Sequence, residues 1–505
     1  MSKNDTICAV STASGTGAIA VIRLSGADSY QIARYIFRKN SNPLNISDIQ
    51  PYKAYYGEVF DPVPDDKPMV DDVLMTFFKA PHSYTGEDSV EISCHGSEFV
   101  QQKILELLVV RGCRLAEPGE FSKRAFINGK LDLAQAEAVA DLISSQNEAE
   151  HRIAVNQLKG GFSNELRDIR TKLVDLTSLL ELELDFSEED VEFADRTKLN
   201  ELLNTSLEHI KQLTDSFRMG NAIKHGIPVA IVGDTNTGKS TLLNAILGEE
   251  RAIVSDIEGT TRDTIEETFT IDGIMYRFID TAGIRETTET IEKIGIERTF
   301  KKLSEADIVI GMLDGTKSVD EIIAAWKDIV NRVNVLKQKL IIMVNKNDLM
   351  DTATMFSLND DYLDYMKPTY ENNIEKNGGY MTDEYCYSIT GRDLYNIRSL
   401  LTFSYMSAKK PEDVESLKDS IRHRYTKTPK FEGNTTLVTN IRHYEALIHA
   451  KESLEQVKHG IDAKLSADLL AQDLRQALYY IGSITGEVTT GEVLNTIFSR
   501  FCIGK

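Results

Sequence analysis

The chain has 505 residues, with 78 Asp and Glu against 57 Lys and Arg, for a net charge of −21. That length accommodates about three domains, and 41% hydrophobic with 27% charged residues excludes wholesale disorder. So acidic a surface repels phosphate backbones, so a nucleic-acid substrate must be held by a local basic patch or by a partner. Residues 1–130 alternate short apolar runs with turn signals. The runs at 18–24, 72–78 and 89–93 predict strands, the spacing at 31–38 and 99–110 predicts helices, and Pro62, Pro64 and Pro68 mark an irregular loop. This is an α+β pattern.

From Asp132 the apolar residues recur at helical spacing, first over 133–143 and then over 165–184, interrupted by Gly160 and Gly161. Long amphipathic helices need a partner layer, and the segment 439–501 carries the same periodicity. One helical domain, built from both sides of an inserted module, is the expectation. The inserted module starts near Gly226. Its strand-like runs at 229–232, 275–279, 308–313 and 340–344 alternate with helical patterns, which predicts a mostly parallel sheet covered on both faces. Residues 350–382 are polar and read as a surface insertion.

Cys8, Cys94, Cys113, Cys386 and Cys502 are scattered and form no C-x-x-C pair, against a disulfide framework or zinc site. No run of 18 apolar residues predicts a membrane span. Lys3, Asp5 and Arg23 rule out a secretory reading of the N-terminal stretch, so a cytoplasmic chain is expected.

The chemistry concentrates in the inserted module. Gly233-Asp-Thr-Asn-Thr-Gly-Lys-Ser240 fits G-x-x-x-x-G-K-[ST] between a strand and a helix. Its glycines let backbone N–H groups close around phosphates, Lys239 reaches the β and γ oxygens, and the Ser240 hydroxyl ligates Mg²⁺. Asn345-Lys-Asn-Asp348 follows an apolar strand. Asp348 can accept from guanine N1 and N2, a pair adenine lacks, so GTP is the expected nucleotide. Asp280-Thr-Ala-Gly283 stands between the two motifs, with Asp280 toward Mg²⁺ through water and the Gly283 amide toward the γ-phosphate. Thr261 in Gly259-Thr-Thr-Arg-Asp263 is the expected second protein ligand to Mg²⁺.

Ras-like enzymes place a water-orienting glutamine after D-x-x-G. Here that residue is Ile284, so another group must orient water and another positive charge must act. Asn236, inside the phosphate loop, offers an oxygen for a cation, and Glu286, Glu289 and Glu292 follow within switch range. Cys94-His95 suggests a nucleophile–base pair, but neighbours on a strand point to opposite faces, which argues against direct contact.

Asn236, the Gly259–Asp263 switch and the apolar Ile284 resemble potassium-activated GTPases. Further motifs narrow this: Tyr84-Thr-Gly-Glu-Asp88, Pro118-Gly-Glu-Phe121, Lys130-Leu-Asp-Leu-Ala-Gln-Ala-Glu137 and the ending Phe501-Cys-Ile-Gly-Lys505. Together the chain resembles, from residue 5 to residue 505, the bacterial and organellar tRNA-modification GTPase family (MnmE, or TrmE). That family helps install an aminomethyl or carboxymethylaminomethyl group on C5 of wobble uridine.

The resemblance implies a multidomain α/β chain: an N-terminal folate-binding and dimerisation domain (1–130), a discontinuous helical domain (131–225 and 406–505) and a Ras-like G domain (226–405). It implies a homodimer and an FAD-dependent partner protein, joined as a heterotetramer that acts on tRNA. GTP contacts fall on Asn236, Thr237, Gly238, Lys239, Ser240 and Thr241, then on Ser255, Asp256, Ile257, Glu258, Gly259, Thr260 and Thr261. They continue through Asp280, Thr281, Ala282 and Gly283 to Asn345, Lys346, Asn347 and Asp348. K⁺ contacts fall on Asn236, Ser255, Ile257 and Thr260, and the catalytic acidic residue is Glu292. Arg23, Glu91, Lys130 and Lys505 would hold a 5-formyl- or 5,10-methylene-tetrahydrofolate, and Cys502 would be nucleophile, general acid or packing residue. The last guanine-contacting loop, usually Ser-Ala-x, aligns with Tyr387-Ser-Ile-Thr390. The same residues bear on two rival functions. A ribosome-assembly or translation-linked GTPase needs a basic RNA-binding module, for which only 422–430 is a candidate; a folate-dependent aminomethyltransferase with a vestigial nucleotide site conflicts with the intact Lys239, Ser240, Asp280 and Asp348.

Overall fold

The computed structural model describes residues 5–62, 68–185, 196–249, 267–271, 274–279, 303, 305–333, 338–351, 354–355, 358, 401–425, 436–463, 465–499 and 501–504. The chain forms two compact units. One comprises Met1–Ser144, Ile153–Asp215 and Asn440–Lys505, the other Ser145–Arg152 and Ser216–Thr439.

The first unit opens with β1 (Ile7–Val10), β2 (Ile19–Ser25), α1 (Ser29–Tyr35), β3 (Phe37–Lys39), β4 (Asn42–Pro43), β5 (Ala54–Phe60), β6 (Met69–Phe78), β7 (Ser89–His95), α2 (Glu98–Val110) and β8 (Arg114–Leu115). Among the described residues these strands form one sheet in the order β4-β3-β5-β6-β7-β2-β1-β8. Alternation sends Ile22, Leu24, Met75, Phe77, Val90 and Ile92 to one face, where Ile32 of α1 and Ile104 and Leu108 of α2 cover them. The other face carries Arg23 opposite Glu91 and Tyr56 opposite Leu74. The helix expected over 31–38 ends at Tyr35. Phe37 pairs with Val59 in the sheet and is fully buried, so strand pairing overrides the helical spacing there.

The helical part follows with α3 (Glu120–Ile127), α4 (Leu133–Ser144), α5 (Glu148–Leu158), which belongs to this unit from Ile153 onward, α6 (Gly161–Asp185) and α7 (Arg196–His225), which leaves this unit after Asp215. It resumes after the second unit. Leu166, Ile169, Leu173 and Leu176 line one buried stripe of α6. The helix Ala467–Thr485, from beyond the insertion, packs on α6, so segments on both sides of the insertion build one bundle.

The second unit contains β9 (Ile227–Val232), α8 (Lys239–Glu249), β10 (Glu267–Ile271), β11 (Ile274–Phe278), β12 (Ile308–Asp314), α9 (Val319–Arg332), β13 (Lys339–Asn345), β14 (Leu401–Tyr405) and α10 (Pro411–Tyr425). Its sheet order is β10-β11-β9-β12-β13-β14, parallel except for the β10–β11 pair. Leu242 and Ile246 of α8 cover one face and Ile322, Trp326 and Ile329 of α9 the other. The crossover helices make a sheet buried on both sides. Val414, Leu417 and Ile421 of α10 join the α8 side of this core. α10 thus lies in the second unit, which runs to Thr439.

The first unit closes with α11 (Ile441–Asp462), α12 (Ala467–Thr485) and α13 (Gly491–Phe498), with α12 packed on both α6 and α11. Among the described residues no helix is long and apolar enough to cross a membrane.

Candidate functional site

The phosphate loop follows the buried strand β9. Asn236 and Gly238 both adopt positive φ, 64° and 99°, so successive backbone amides turn inward as α8 begins at Lys239. A Cβ at Gly238 would collide with the Asn345 side-chain amide, which leaves glycine as the residue that fits. The Thr237 hydroxyl donates to the Asp234 carbonyl at 2.9 Å. Lys239 Nζ donates to the carbonyls of Gly233 and Asp234 at 2.7 and 2.6 Å. Burial pushes its pKa down, partly countered by Asp234. Ser240 and Thr241 occupy the first turn of α8. A helix N-terminus, inward amides and a lysine make an anion site.

The base loop leaves β13 at Asn345. Its Nδ2 donates to the Thr237 carbonyl at 2.7 Å, and its Oδ1 accepts from the Ala408 amide at 2.9 Å. Lys346, at φ 64°, donates to Asp314 Oδ2 at 2.6 Å. Burial alone would raise the Asp314 pKa, but Lys346 and Thr316 outweigh it and lower it. Asn347 and Asp348 open a short turn, with the Asn347 amide on the Met406 carbonyl at 3.1 Å.

Ser407-Ala408-Lys409, which follows β14, was not identified from sequence. The alternative at Tyr387–Thr390 lies outside the described residues. The structure brings Ala408 to Asn345, and the Ser407 amide to Asp413 Oδ2 at 2.7 Å. A Ser-Ala pair directly after the apolar run at 401–406 and just before a Pro-Glu-Asp helix start was the available signal. Ser407–Lys409 is thus the described loop that meets the base loop at Asn345.

Ser255, Asp256, Ile257, Glu258, Gly259, Thr260, Thr261, Asp280, Thr281, Ala282, Gly283, Glu292 and Lys505 lie outside the described residues. Among the described residues no His, Cys, Asp or Glu cluster is suited to a metal.

On the N-terminal sheet, Arg23 and Glu91 are cross-strand neighbours. Arg23 Nε and Nη2 reach Glu91 Oε1 at 2.9 and 2.8 Å. The guanidinium lies 5.0 Å from the Tyr84 ring centre and 5.7 Å from that of Phe121, a flat, partly apolar setting. Lys130 Nζ donates to the Pro81 carbonyl at 3.0 Å. Arg124 of α3 bonds Asp5, Glu87 and Glu120, an ion network that sequence alone did not suggest.

The C-terminal tail is docked beside this face. Phe498 is buried against Leu133 and Ala136, and Phe501 meets its ring edge-on at 5.2 Å. The Gly119 amide donates to the Cys502 carbonyl at 3.3 Å, and Ser11 Oγ donates to the Gly504 carbonyl at 2.9 Å. Gly504 adopts φ 93°, and a Cβ there would strike the Val10 carbonyl. The Cys502 side chain stays exposed. Cys94 and His95 stay apart, as strand alternation requires. The buried Cys94 thiol donates to the Ala20 carbonyl at 3.6 Å and is pushed up to about 11 by burial and then by Asp71. His95 Nδ1 instead meets Asp71 Oδ1 at 2.6 Å.

Residues 6–130 match the family described as GTP-binding protein TrmE N-terminus, and residues 133–502 match the MnmE helical domain. The tRNA modification GTPase MnmE of Flavobacterium johnsoniae is 48% identical over 510 residues, covering 100% of both chains. Its counterpart in Bacteroides thetaiotaomicron is 46% identical over 501 residues, 99% of each. Among solved structures, the FeoB G domain of Methanococcus jannaschii is 20% identical, over 39% of this chain and 96% of its own, at a TM-score of 0.23. Matched end to end at that identity with relatives of one name, this chain belongs to the tRNA modification GTPase MnmE family.

Proposed function

We propose that this chain hydrolyses GTP as one subunit of a cytoplasmic complex that installs an aminomethyl or carboxymethylaminomethyl group on C5 of wobble uridine. Family membership makes it a tRNA modification GTPase. The observation that carries the finer reading is the docked tail, whose Cys502 carbonyl meets Gly119 two residues from Phe121, itself beside Arg23.

In the nucleotide-binding unit, Lys239 and the loop amides bind the phosphates, and Asp348 selects guanine, on a loop that Asn345 ties to the Ala408 amide. Ser240 and Thr261 would hold Mg²⁺, whose charge neutralises that developing on the phosphates. Asn236 fits a K⁺ ligand because its positive φ sets it within the turn of the phosphate loop; Ser255, Ile257 and Thr260 would complete the set. Glu292 orients the attacking water that Ile284 cannot.

Arg23, Glu91, Lys130 and Lys505 would hold the tetrahydrofolate derivative, which supplies the one-carbon unit. The residues present fit such a group. Both Arg23 contacts go to Glu91 Oε1, so Oε2 can face a pterin N–H pair, and Tyr84 and Phe121 wall the site. Exposed Tyr56 and Leu74, opposite one another on the same sheet, support a homodimer through this domain. With a net charge of −21, tRNA contact falls mainly to the FAD-dependent partner of the heterotetramer. The ribosome-linked alternative loses ground, because Arg422 of the basic run pairs with Asp419 and Glu415.

Mass spectrometry of wobble uridine in a strain lacking this chain tests the reading. Loss of the C5 group, restored by re-expression, is the expected outcome; an unchanged modification profile would overturn it.

A further inference from the structure

Leu133, Ala136 and Glu137 share one face of α4, spaced as i, i+3 and i+4. The first two hold Phe498, the last residue of α13. Glu137 holds the first turn of α11. Arg442 Nε donates to Glu137 Oε1 at 3.1 Å and its Nη2 to Oε2 at 2.8 Å. The same guanidinium donates from Nη1 to the Ser483 carbonyl at 2.8 Å and from Nη2 to the Ile484 carbonyl at 3.1 Å. Those carbonyls belong to the last turn of α12, which the helix itself leaves without partners. His443 Nε2 meets Glu137 Oε2 at 2.7 Å, with its ring 5.3 Å from that of Phe162.

Gly486 follows at φ 86°, where the Phe126 ring occupies the space a Cβ would need. The chain then runs into α13 and the tail. One guanidinium therefore joins α4, α11 and the end of α12 at the point where the path toward Cys502 is set. An apolar cluster would stabilise such a bundle equally well. A bidentate, desolvated ion pair adds a fixed direction.

We propose that Arg442, acting through Glu137, is a positioning residue for the modification chemistry: it aims α13 and the tail so that Cys502 lies against the N-terminal sheet. The proposal rests on the reading above that the tail completes the modification site. It assigns the clamp no part in GTP hydrolysis.

Amide hydrogen exchange on the full-length Glu137→Gln and Arg442→Lys variants tests it. The hydrogen-bonded amides of Phe501 and Gly119 should exchange roughly ten- to a hundredfold faster, the range for a lost charge-assisted hydrogen bond. Wobble-uridine modification should fall, while exchange in α6 and K⁺-stimulated GTP turnover stay at the wild-type rate. Unchanged tail exchange in both variants would overturn the proposal whatever the modification result. So would equal acceleration throughout α4, α6 and α11, which would make the cluster a plain stabilising element. Intact modification after deletion of residues 502–505 would instead sink the reading of the tail and leave the clamp's exchange result standing.

Discussion

Asn345 donates its side-chain N–H to the Thr237 carbonyl at 2.7 Å, so the loop that faces the base is tied directly to the loop that faces the phosphates. The same side chain receives the Ala408 amide. Three loops thus share one carboxamide, and their spacing is set before nucleotide arrives.

Asn345→Ala should therefore weaken GTP and GDP alike. Two buried hydrogen bonds at about 0.5–1.5 kcal/mol each correspond to roughly a ten- to hundredfold loss of affinity. Titration with a fluorescent guanine nucleotide measures it. Near-normal binding would show that the loops keep their order without this side chain.

Hydrolysis should depend on K⁺. An arginine finger is worth about 10³–10⁵ in rate, and no such arginine is identified in the switch sequences. A cation at Asn236 should give an effect within that range or below it. Asn236→Ala should lose most of the K⁺ response yet still bind GDP. Equal turnover in Na⁺ and K⁺ buffers would sink the idea.

Glu292→Ala should lower kcat far more than nucleotide affinity, because a residue that orients water contributes in the transition state. Steady-state turnover beside equilibrium binding separates the two. Weakened binding with near-normal kcat would make Glu292 a structural residue.

Contiguous chemistry was legible in the sequence, and long-range pairing was not. Lys239 and Ser240 sit in an eight-residue motif whose flanking strand and helix can be read directly. Ser407 and Ala408 escaped because the long polar stretch after Met350 disguises where the last strand falls. Arg23 and Glu91, 68 residues apart, are ordinary charges until sheet register sets them opposite one another. Only the family resemblance singled them out. Glu137 and Arg442, 305 residues apart, carry no local signal of their pairing. The helix expected through Arg38 failed at Phe37 because cross-strand burial outweighs periodicity over so short a run.

Deleting residues 502–505 should abolish wobble-uridine modification while K⁺-stimulated GTP turnover stays near normal. A docked tail with Gly504 pressed on Val10 is not a frayed terminus. Modification that survived the deletion would reduce the tail to packing.

Acid should reveal Glu137. Burial alone would raise its pKa, but His443 and Arg442 outweigh that and take it from 4.5 down to about 2. Arg442 is the partner whose charge persists throughout the titration. The folded value lies below the unfolded one, so the contribution to stability is fully present above the unfolded pKa and is lost as pH falls through the folded pKa. The stability gap between wild type and Glu137→Gln, read by urea unfolding, should hold near neutrality and close between about pH 4.5 and 2. A gap that stayed constant through that window would refute the assignment.

The helical bundle is interrupted by the whole of Ser216–Thr439. A ribosome adding about 5–20 residues per second takes on the order of 10–45 s to make that stretch. Throughout that interval the nascent chain carries α6 with its leucine stripe but not the α12 that covers it. Nascent chains of this protein should therefore be frequent clients of ribosome-associated chaperones, with their exposure ending only when the last helices emerge.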